Sequence, residues 1–256
     1  MKLLFIGDVV GAKGRAFLKS TLWALRRETG VDVVIANGEN SADNNGVTPQ
    51  SADELFEAGV DIITGGNHSF QRREIYTYLA EKEYILRPAN YPSGAPGKGM
   101  CIYNTGKSDI AVISLSGIVF LDALDCPFRV ADTLLKEAAL KTKIIVIDFH
   151  AEATSEKRAF AEYVKGRASA VLGTHTHVMT SDAQVLGGVT GFITDVGMTG
   201  PTDSIIGVGK EEVIKKFLTK MPVRFKEGEG IAKINAALLD IDEATGNCIR
   251  IETIIK

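Results

Sequence analysis

The sequence of 256 residues predicts an α/β protein built as a four-layer α/β/β/α sandwich, two mixed sheets flanked by helices. Three observations predict it. Short, wholly apolar runs alternate with helical stretches through the first third of the chain, the pattern of parallel strands covered on both faces. Turn signals at Asn104-Thr105-Gly106-Lys107 and Gly187-Gly188 then mark hairpins, so antiparallel pairing and a second sheet follow. Successive apolar runs end in acids, amides or imidazoles, where open α/β sheets place their ligands.

Each element has its own justification. Leu3 to Ile6 reads as a buried strand ending in Gly7-Asp8. Gly11 and Gly14 suggest a tight turn before a helix from about Arg15 to Glu28, with Phe17, Leu18, Leu22 and Leu25 at helical spacing. Asp32 to Ala36 is a second strand, ending in Asn37-Gly38-Glu39-Asn40. Pro49 at an early helical position starts a helix that runs to about Ala58. Val60 to Thr64 is a third strand, delivering Gly65-Gly66-Asn67-His68, and a helix follows around Arg72 to Glu81. The Pro- and Gly-rich stretch from Arg87 to Gly99 reads as loop. Its Gly97-Lys98-Gly99 is no phosphate loop, because Pro92 stands where the first glycine would and no Ser or Thr follows the lysine. Met100 to Tyr103 and Ile110 to Leu115 form a hairpin, and Val130 to Lys141 an amphipathic helix. Ile144 to Ile147 is a strand ending in Asp148-Phe149-His150; Ala151 to Lys165 is largely helical. Ala168 to Leu172 is a strand leading to His175-Thr176-His177. Ala183 to Leu186 and Thr190 to Thr194 form a hairpin, Asp195 to Gly207 a polar loop, and Lys210 to Leu218 a short helix. Ile231 to Ile241 and Cys248 to Ile255 make the last antiparallel pair. No linker divides the chain, so residues 1–256 are expected to form a single domain.

Composition narrows the function classes. Apolar residues make up 45% and charged residues 24%, ordinary for a globular protein. A net charge of -3 with no basic block argues against long nucleic acid as a partner. Three widely spaced cysteines, Cys101, Cys126 and Cys248, suggest reduced thiols. No signal segment and no membrane-length apolar run is present, so the expectation is a cytoplasmic protein without a membrane partner. An exposed antiparallel edge would allow a homo-oligomer. Trp23 and the phenylalanines read as core residues rather than base-stacking groups.

The chemistry lies at the strand ends. All four histidines of the chain, His68, His150, His175 and His177, follow strand-like runs. If the run before it continued as a strand, His-x-His would project both imidazoles to one face. Asp8, Glu39, Asn40 and Asn67 fall at equivalent strand ends. This nitrogen and oxygen donor set, without thiolate, suits iron, manganese or zinc. There are more ligands than one ion needs, and Glu39 could bridge two. Two ions about 3.5–4 Å apart form a clamp for in-line phosphoryl displacement.

The order Asp, Glu-Asn, Gly-Asn-His, His, His-x-His resembles the calcineurin-like metallophosphoesterases. The motifs are closer still to the YmdB-like family of bacterial cyclic-nucleotide phosphodiesterases. The matching stretches are Gly7-Asp8-Val9-Val10-Gly11, Asn37-Gly38-Glu39-Asn40, Gly66-Asn67-His68, Arg87-Pro88-Ala89-Asn90, the run from Asp148 to Lys157, Gly173-Thr174-His175-Thr176-His177 and the run from Thr194 to Pro201. The resemblance implies the calcineurin-like metallophosphoesterase fold and two ions per chain, iron first, with manganese or zinc as alternatives. It implies that Asp8, Glu39, Asn40 and His177 hold one ion, and that Glu39 bridges to a second held by Asn67, His150 and His175. His68 would be the general acid. The implied substrate is a small phosphoester, a cyclic nucleotide, with 2′,3′-cyclic compounds ahead of 3′,5′-cyclic ones. The sequence departs from the broader superfamily at Val10, Glu39 and Ser69, where His, Asp and an orienting carboxylate are usual. The partner of His68 is then Asp148, Asp195 or a backbone carbonyl. Two other functions compete: a phosphomonoesterase or nucleotidase on the same site, and a metal-binding regulatory scaffold with little turnover.

Overall fold

A computed structural model describes residues 1–256. Its elements are β1 (Lys2–Ile6), β2 (Asp8–Val9), α1 (Gly11–Thr29), β3 (Val33–Asn37), α2 (Pro49–Ala58), β4 (Ile62–Thr64), α3 (Ile75–Glu81), β5 (Met100–Asn104), β6 (Asp109–Ser116), α4 (Pro127–Ala139), β7 (Ile145–His150), α5 (Thr154–Val164), β8 (Ala170–Thr174), β9 (Gln184–Leu186), β10 (Thr190–Ile193), β11 (Met198–Val208), α6 (Lys210–Thr219), β12 (Glu227–Lys233), β13 (Asn235–Ile241) and β14 (Cys248–Ile255).

Two large sheets carry the fold. One has the order β14-β13-β1-β3-β4, the other β5-β6-β7-β8-β10-β9. In the first, β1-β3-β4 are parallel, with β4 at one edge, and antiparallel pairing through β13 and β14 extends the other side; in the second, β6-β7-β8-β10 are parallel between antiparallel β5 and β9. Both sheets are therefore mixed.

Alternation along the strands builds the layers. Leu3, Phe5, Val33 and Ile35 join Val112, Val146, Ala170 and Leu172 in the core between the sheets. Their neighbours Leu4, Ile6, Val34 and Ala36 face the other way, onto Leu18, Leu22 and Leu55 of α1 and α2. On the second sheet Ile113, Ile147, Phe149 and Val171 meet Ala131, Leu135 and Phe160 of α4 and α5. Helix, sheet, sheet, helix is the expected four-layer sandwich. Strands apolar on both faces are what this order requires, and the runs rich in isoleucine and valine in β3, β4 and β7 supply them.

Three local expectations are corrected. Only Gly11, with a left-handed φ of 62°, makes the turn into the helix, which begins there; Gly14 lies inside α1. Gly14 is small because the helix presses on β11, where an added Cβ would lie 2.6 Å from the Thr199 carbonyl oxygen. The stretch Asp195 to Gly207, expected as loop, is largely β11. It pairs antiparallel with β12, and its start pairs parallel with Asp8 and Val9. A third, three-stranded sheet, β12-β11-β2, results. Finally, β12 and β13 are separate strands in different sheets, so the apolar run from Ile231 to Ile241 is not one strand.

Candidate metal centre and active site

Five of the parallel strands of the two sheets deliver the site residues at their carboxyl ends, where open α/β sheets place their ligands. β1 leads into Asp8, β3 into Glu39 and Asn40, β4 into Asn67 and His68. From the second sheet, β7 ends on His150 and β8 leads into His175 and His177. The structure brings all eight expected residues together. Ligand atoms of Glu39, His150 and His175 lie within 4.8 Å of one another.

The buried wall of the site is a hydroxyl relay. Thr174 Oγ1 donates to Asp148 Oδ1 at 2.7 Å and lies 2.9 Å from His150 Nδ1. A hydroxyl has one proton, so Thr174 must accept from His150 Nδ1–H. Asp148 is held on its other oxygen by Thr64 at 2.5 Å and Asn37 at 2.9 Å. The far nitrogen, His150 Nε2, is thereby aimed into the site. Three acceptor-bearing atoms crowd it: Asn67 Oδ1 at 2.9 Å, His175 Nδ1 at 3.0 Å and Glu39 Oε1 at 3.2 Å. One proton cannot satisfy three such atoms at once, whereas a cation can.

Asp8, Asn40 and His177 form the other half. His177 Nε2 is 3.3 Å from Asn40 Nδ2 and 3.7 Å from Asp8 Oδ1. His177 Nδ1 donates to the Ile206 carbonyl at 2.8 Å, which leaves Nε2 with its lone pair facing inward. Asp8 Oδ2 accepts the His175 backbone N–H at 3.1 Å, while Asp8 Oδ1 is buried with no hydrogen-bond partner. Glu39 stands between the two halves, its Oε1 2.9 Å from Asn40 Nδ2. A fully buried, unpartnered carboxylate oxygen beside converging imidazoles fits a divalent cation. Gly66 keeps the space open: a Cβ there would lie 2.3 Å from Glu39 Oε2 and 2.4 Å from His150 Nε2.

Titration follows the same field. Burial lowers the affinity of His150 for a proton, but Glu39, Asp8 and Asp148 outweigh it and push its pKa up to about 9. Burial and neighbouring His150 take His175 down to about 3. Glu39 is also opposed by burial, yet His150 and His68 hold it well below the usual carboxylate range. Burial raises Asp8, with His177 and His150 pulling against it. A pocket that favours positive charge so strongly on one imidazole is electrostatically suited to a metal ion.

His-x-His does not work as an extended strand would. β8 stops at Thr174, and His175 and His177 have φ of 104° and 65°. The turn sends the two rings to opposite halves of the site. It is fixed by Asp195, whose Oδ2 accepts Thr176 N–H at 3.0 Å and Oδ1 accepts Gly197 N–H at 2.8 Å. Lys157 of α5 neutralises Asp195 at 2.7 Å, and both side chains are buried. Spacing alone gave no sign of Lys157, Thr174 or Asn37; their roles come from long-range contacts.

The expected partner of His68 is corrected. Neither Asp148 nor Asp195 reaches it. His68 Nδ1 lies 2.8 Å from Asn40 Oδ1 and 3.2 Å from Glu39 Oε1, and its backbone N–H donates to Glu39 Oε2 at 2.8 Å. An amide carbonyl or a carboxylate among the candidate ligands thus takes the place of the orienting carboxylate expected after Gly-Asn-His. Glu152, just ahead of α5, binds His175 Nε2 at 2.9 Å and so turns His175 Nδ1 toward Glu39 and His150. Asn90 of Arg87-Pro88-Ala89-Asn90 bonds Ser116 and Asp125, bracing the loop after β6.

A family model described as YmdB-like protein matches residues 4–254. The chain belongs to the YmdB-like family. Among its family relatives, a Bacillus subtilis (strain 168) protein named 2′,3′-cyclic-nucleotide 2′-phosphodiesterase is 47% identical over 255 residues, covering 100% of this chain and 97% of the relative. A crystal structure of a hypothetical protein from Thermus thermophilus superposes with a TM-score of 0.94 at 43% identity, covering 100% of this chain and 99% of the other. A structure described as a novel phosphatase from Mycoplasma pneumoniae superposes with a TM-score of 0.93 at 32% identity, covering 100% and 93%. The fold is that of the metallophosphoesterases, as the resemblance implied. No helix is long and apolar enough to cross a membrane.

Proposed function

We propose that this YmdB-like protein is a metal-dependent phosphoric diester hydrolase acting on cyclic nucleotides, 2′,3′-cyclic ones first. The whole chain acts as one metallophosphoesterase domain. The observation that carries the reading is the crowd of lone pairs around His150 Nε2 beside the unpartnered Asp8 Oδ1. The name of the Bacillus subtilis relative supports the substrate class. Asp8, Glu39, Asn40 and His177 would hold one ion, and Glu39, Asn67, His150 and His175 a second. Iron is the first choice, with manganese or zinc accepted by the same donors. Asn40 would serve as a ligand through its amide oxygen, whose second lone pair accepts from His68 Nδ1–H. Ions held there would supply Lewis acidity toward the phosphoryl group and lower the pKa of water to about 7.

The remaining work belongs to the chain. Water adds to phosphorus, one ring P–O bond breaks, and the leaving oxygen takes a proton. His68 lines the cavity over the site, with Nδ1 held inward by Asn40 and Glu39. In the imidazolium form, with Nδ1–H held by their oxygens, Nε2–H gives its proton to the leaving oxygen, and the proton shed by the attacking water restores the imidazolium. The Thr174 relay and Glu152 keep the two imidazoles pointed inward, and the Lys157–Asp195 pair holds the turn that carries His175 and His177. Free Cys101, Cys126 and Cys248 accord with a cytoplasmic site of action. β14 has a strand partner on one side only, so a homo-oligomer would form along its open edge.

His68→Ala tests the reading. Turnover of a 2′,3′-cyclic nucleotide falls about 10²–10⁴-fold while the ion content stays that of the unsubstituted protein. Full activity in that variant removes His68 as the acid. The Mycoplasma pneumoniae neighbour, described as a phosphatase, favours phosphomonoester hydrolysis as the second reading. Turnover of a nucleoside monophosphate above that of the cyclic diester would establish it.

A further inference from the structure

We infer that the groove leading away from the metal centre past Phe225 is a nucleobase subsite, with the Phe225 ring as its stacking face. This rests on the phosphodiesterase reading above. Two cavities meet at the site. One, of about 340 Å³, contains His68, His175 and His177; the other, of about 410 Å³, runs outward along residues 42–45 and 224–227. Val10, Asn40, Asn45, Val208 and Phe225 line both, so the two are one continuous groove. A ligand whose phosphate sits among the imidazoles has this channel for the rest of its body.

The chemistry of the walls selects a base. Phe225 lies between α6 and β12 and leaves 41% of its surface exposed, at the mouth of a polar site rather than in a core. Val10 and Val208 extend the apolar surface. Facing these segments is the loop that carries Asn44 and Asn45, whose side-chain amides make no hydrogen bond within the chain. An aromatic face beside free amide donors and acceptors is how proteins take up an unpaired base.

The amide wall is also built to stay in place. Asn44 and Asn45 have φ of 58° and 69°, a strained left-handed pair followed by Gly46. Arg72 clamps it, bonding the carbonyl oxygens of Asp43, Asn44 and Asn45, the last at 3.0 Å. The loop is exposed to solvent and lines the groove. Its position on the groove gives the bracing a purpose.

The test compares two substrates with the same five-membered cyclic phosphate: adenosine 2′,3′-cyclic phosphate and glycerol 1,2-cyclic phosphate, which has no base. In the ion-loaded protein, Phe225→Ala lowers the ratio of kcat/KM for the nucleotide to that for the glycerol diester about tenfold, through KM, and Phe225→Trp restores it. Asn45→Gly, which keeps the left-handed backbone and deletes the amide, lowers the ratio several-fold. A ratio unchanged by Phe225→Ala overturns the subsite. If the unsubstituted protein opens neither diester, the phosphodiesterase reading fails separately. The subsite is then judged by the equilibrium binding of adenosine 3′-monophosphate, which Phe225→Ala weakens about tenfold if the base stacks there. Equal binding by both proteins overturns it.

Discussion

Thr174→Val removes one oxygen from the wall of the candidate metal centre and keeps its shape. The hydroxyl joins two buried groups: it donates to Asp148 Oδ1 at 2.7 Å and accepts from His150 Nδ1 at 2.9 Å. Thr174, Asp148 and His150 are all inaccessible to water, so solvent cannot replace it. Asp148 Oδ1 has no other partner, since Thr64 and Asn37 bind Oδ2. His150 Nδ1 is left facing Asn37 Nδ2 at 3.4 Å, another donor, and Asp8 Oδ1 at 3.8 Å, too far for a hydrogen bond. Two orphaned groups at about 1–3 kcal/mol each give a loss of about 2–6 kcal/mol. The freed imidazole also loses its fixed tautomer, and loss of such a support lowers metal affinity about 10–100-fold. Urea unfolding of the chelated protein measures the first quantity, as a lower midpoint at constant slope. Competition against a fluorescent chelator measures the second. A stability loss below about 0.5 kcal/mol, the range of ordinary surface changes, with ion affinity unaltered, would refute the relay.

Two further outcomes are expected. Lys157→Met strands the buried Asp195 carboxylate and loosens the His175–His177 turn; unfolding stability falls by about 3–5 kcal/mol, and ion affinity falls with it, whereas a merely structural lysine would change stability alone. Burial pushes the thiols of Cys101 and Cys248 up to about 12 and about 11, above the ordinary value of 9.0. A raised folded pKa means the folded state holds the proton longer, so this contribution is complete below pH 9 and is lost as pH rises through about 11 to 12. Stability therefore declines above about pH 9, and in native protein at about pH 8 a thiol reagent labels exposed Cys126 quickly and the other two only on unfolding. Fast labelling of all three would contradict it.

How far the sequence could be read depends on how local each cause is. β1, β3 and β7 are legible because burial on both faces demands unbroken apolar runs. The candidate ligands are legible because each ends or closely follows such a run. β11 is not: its Gly, Pro and polar residues read as loop, and its order comes from pairing with β12 and with Asp8–Val9, distant in sequence. Spacing places the His-x-His pair on a strand, yet left-handed backbone at both residues sends the rings apart, and spacing carries no record of φ. Lys157 reads as a solvent-facing helical lysine until Asp195 is brought beneath it. Phe225 reads as core like its fellows, and only the position of residues 224–227 beside the site shows otherwise.

Anomalous scattering from crystals of the ion-loaded protein tests the central claim most directly. The account predicts two ion peaks about 3.5–4 Å apart, one on each side of Glu39, with His177 and Asp8 on one and His150, His175 and Asn67 on the other. Glu39→Gln weakens both. Crystals grown with excess iron or manganese that show no peak among these side chains, or ions only at the surface, would contradict it.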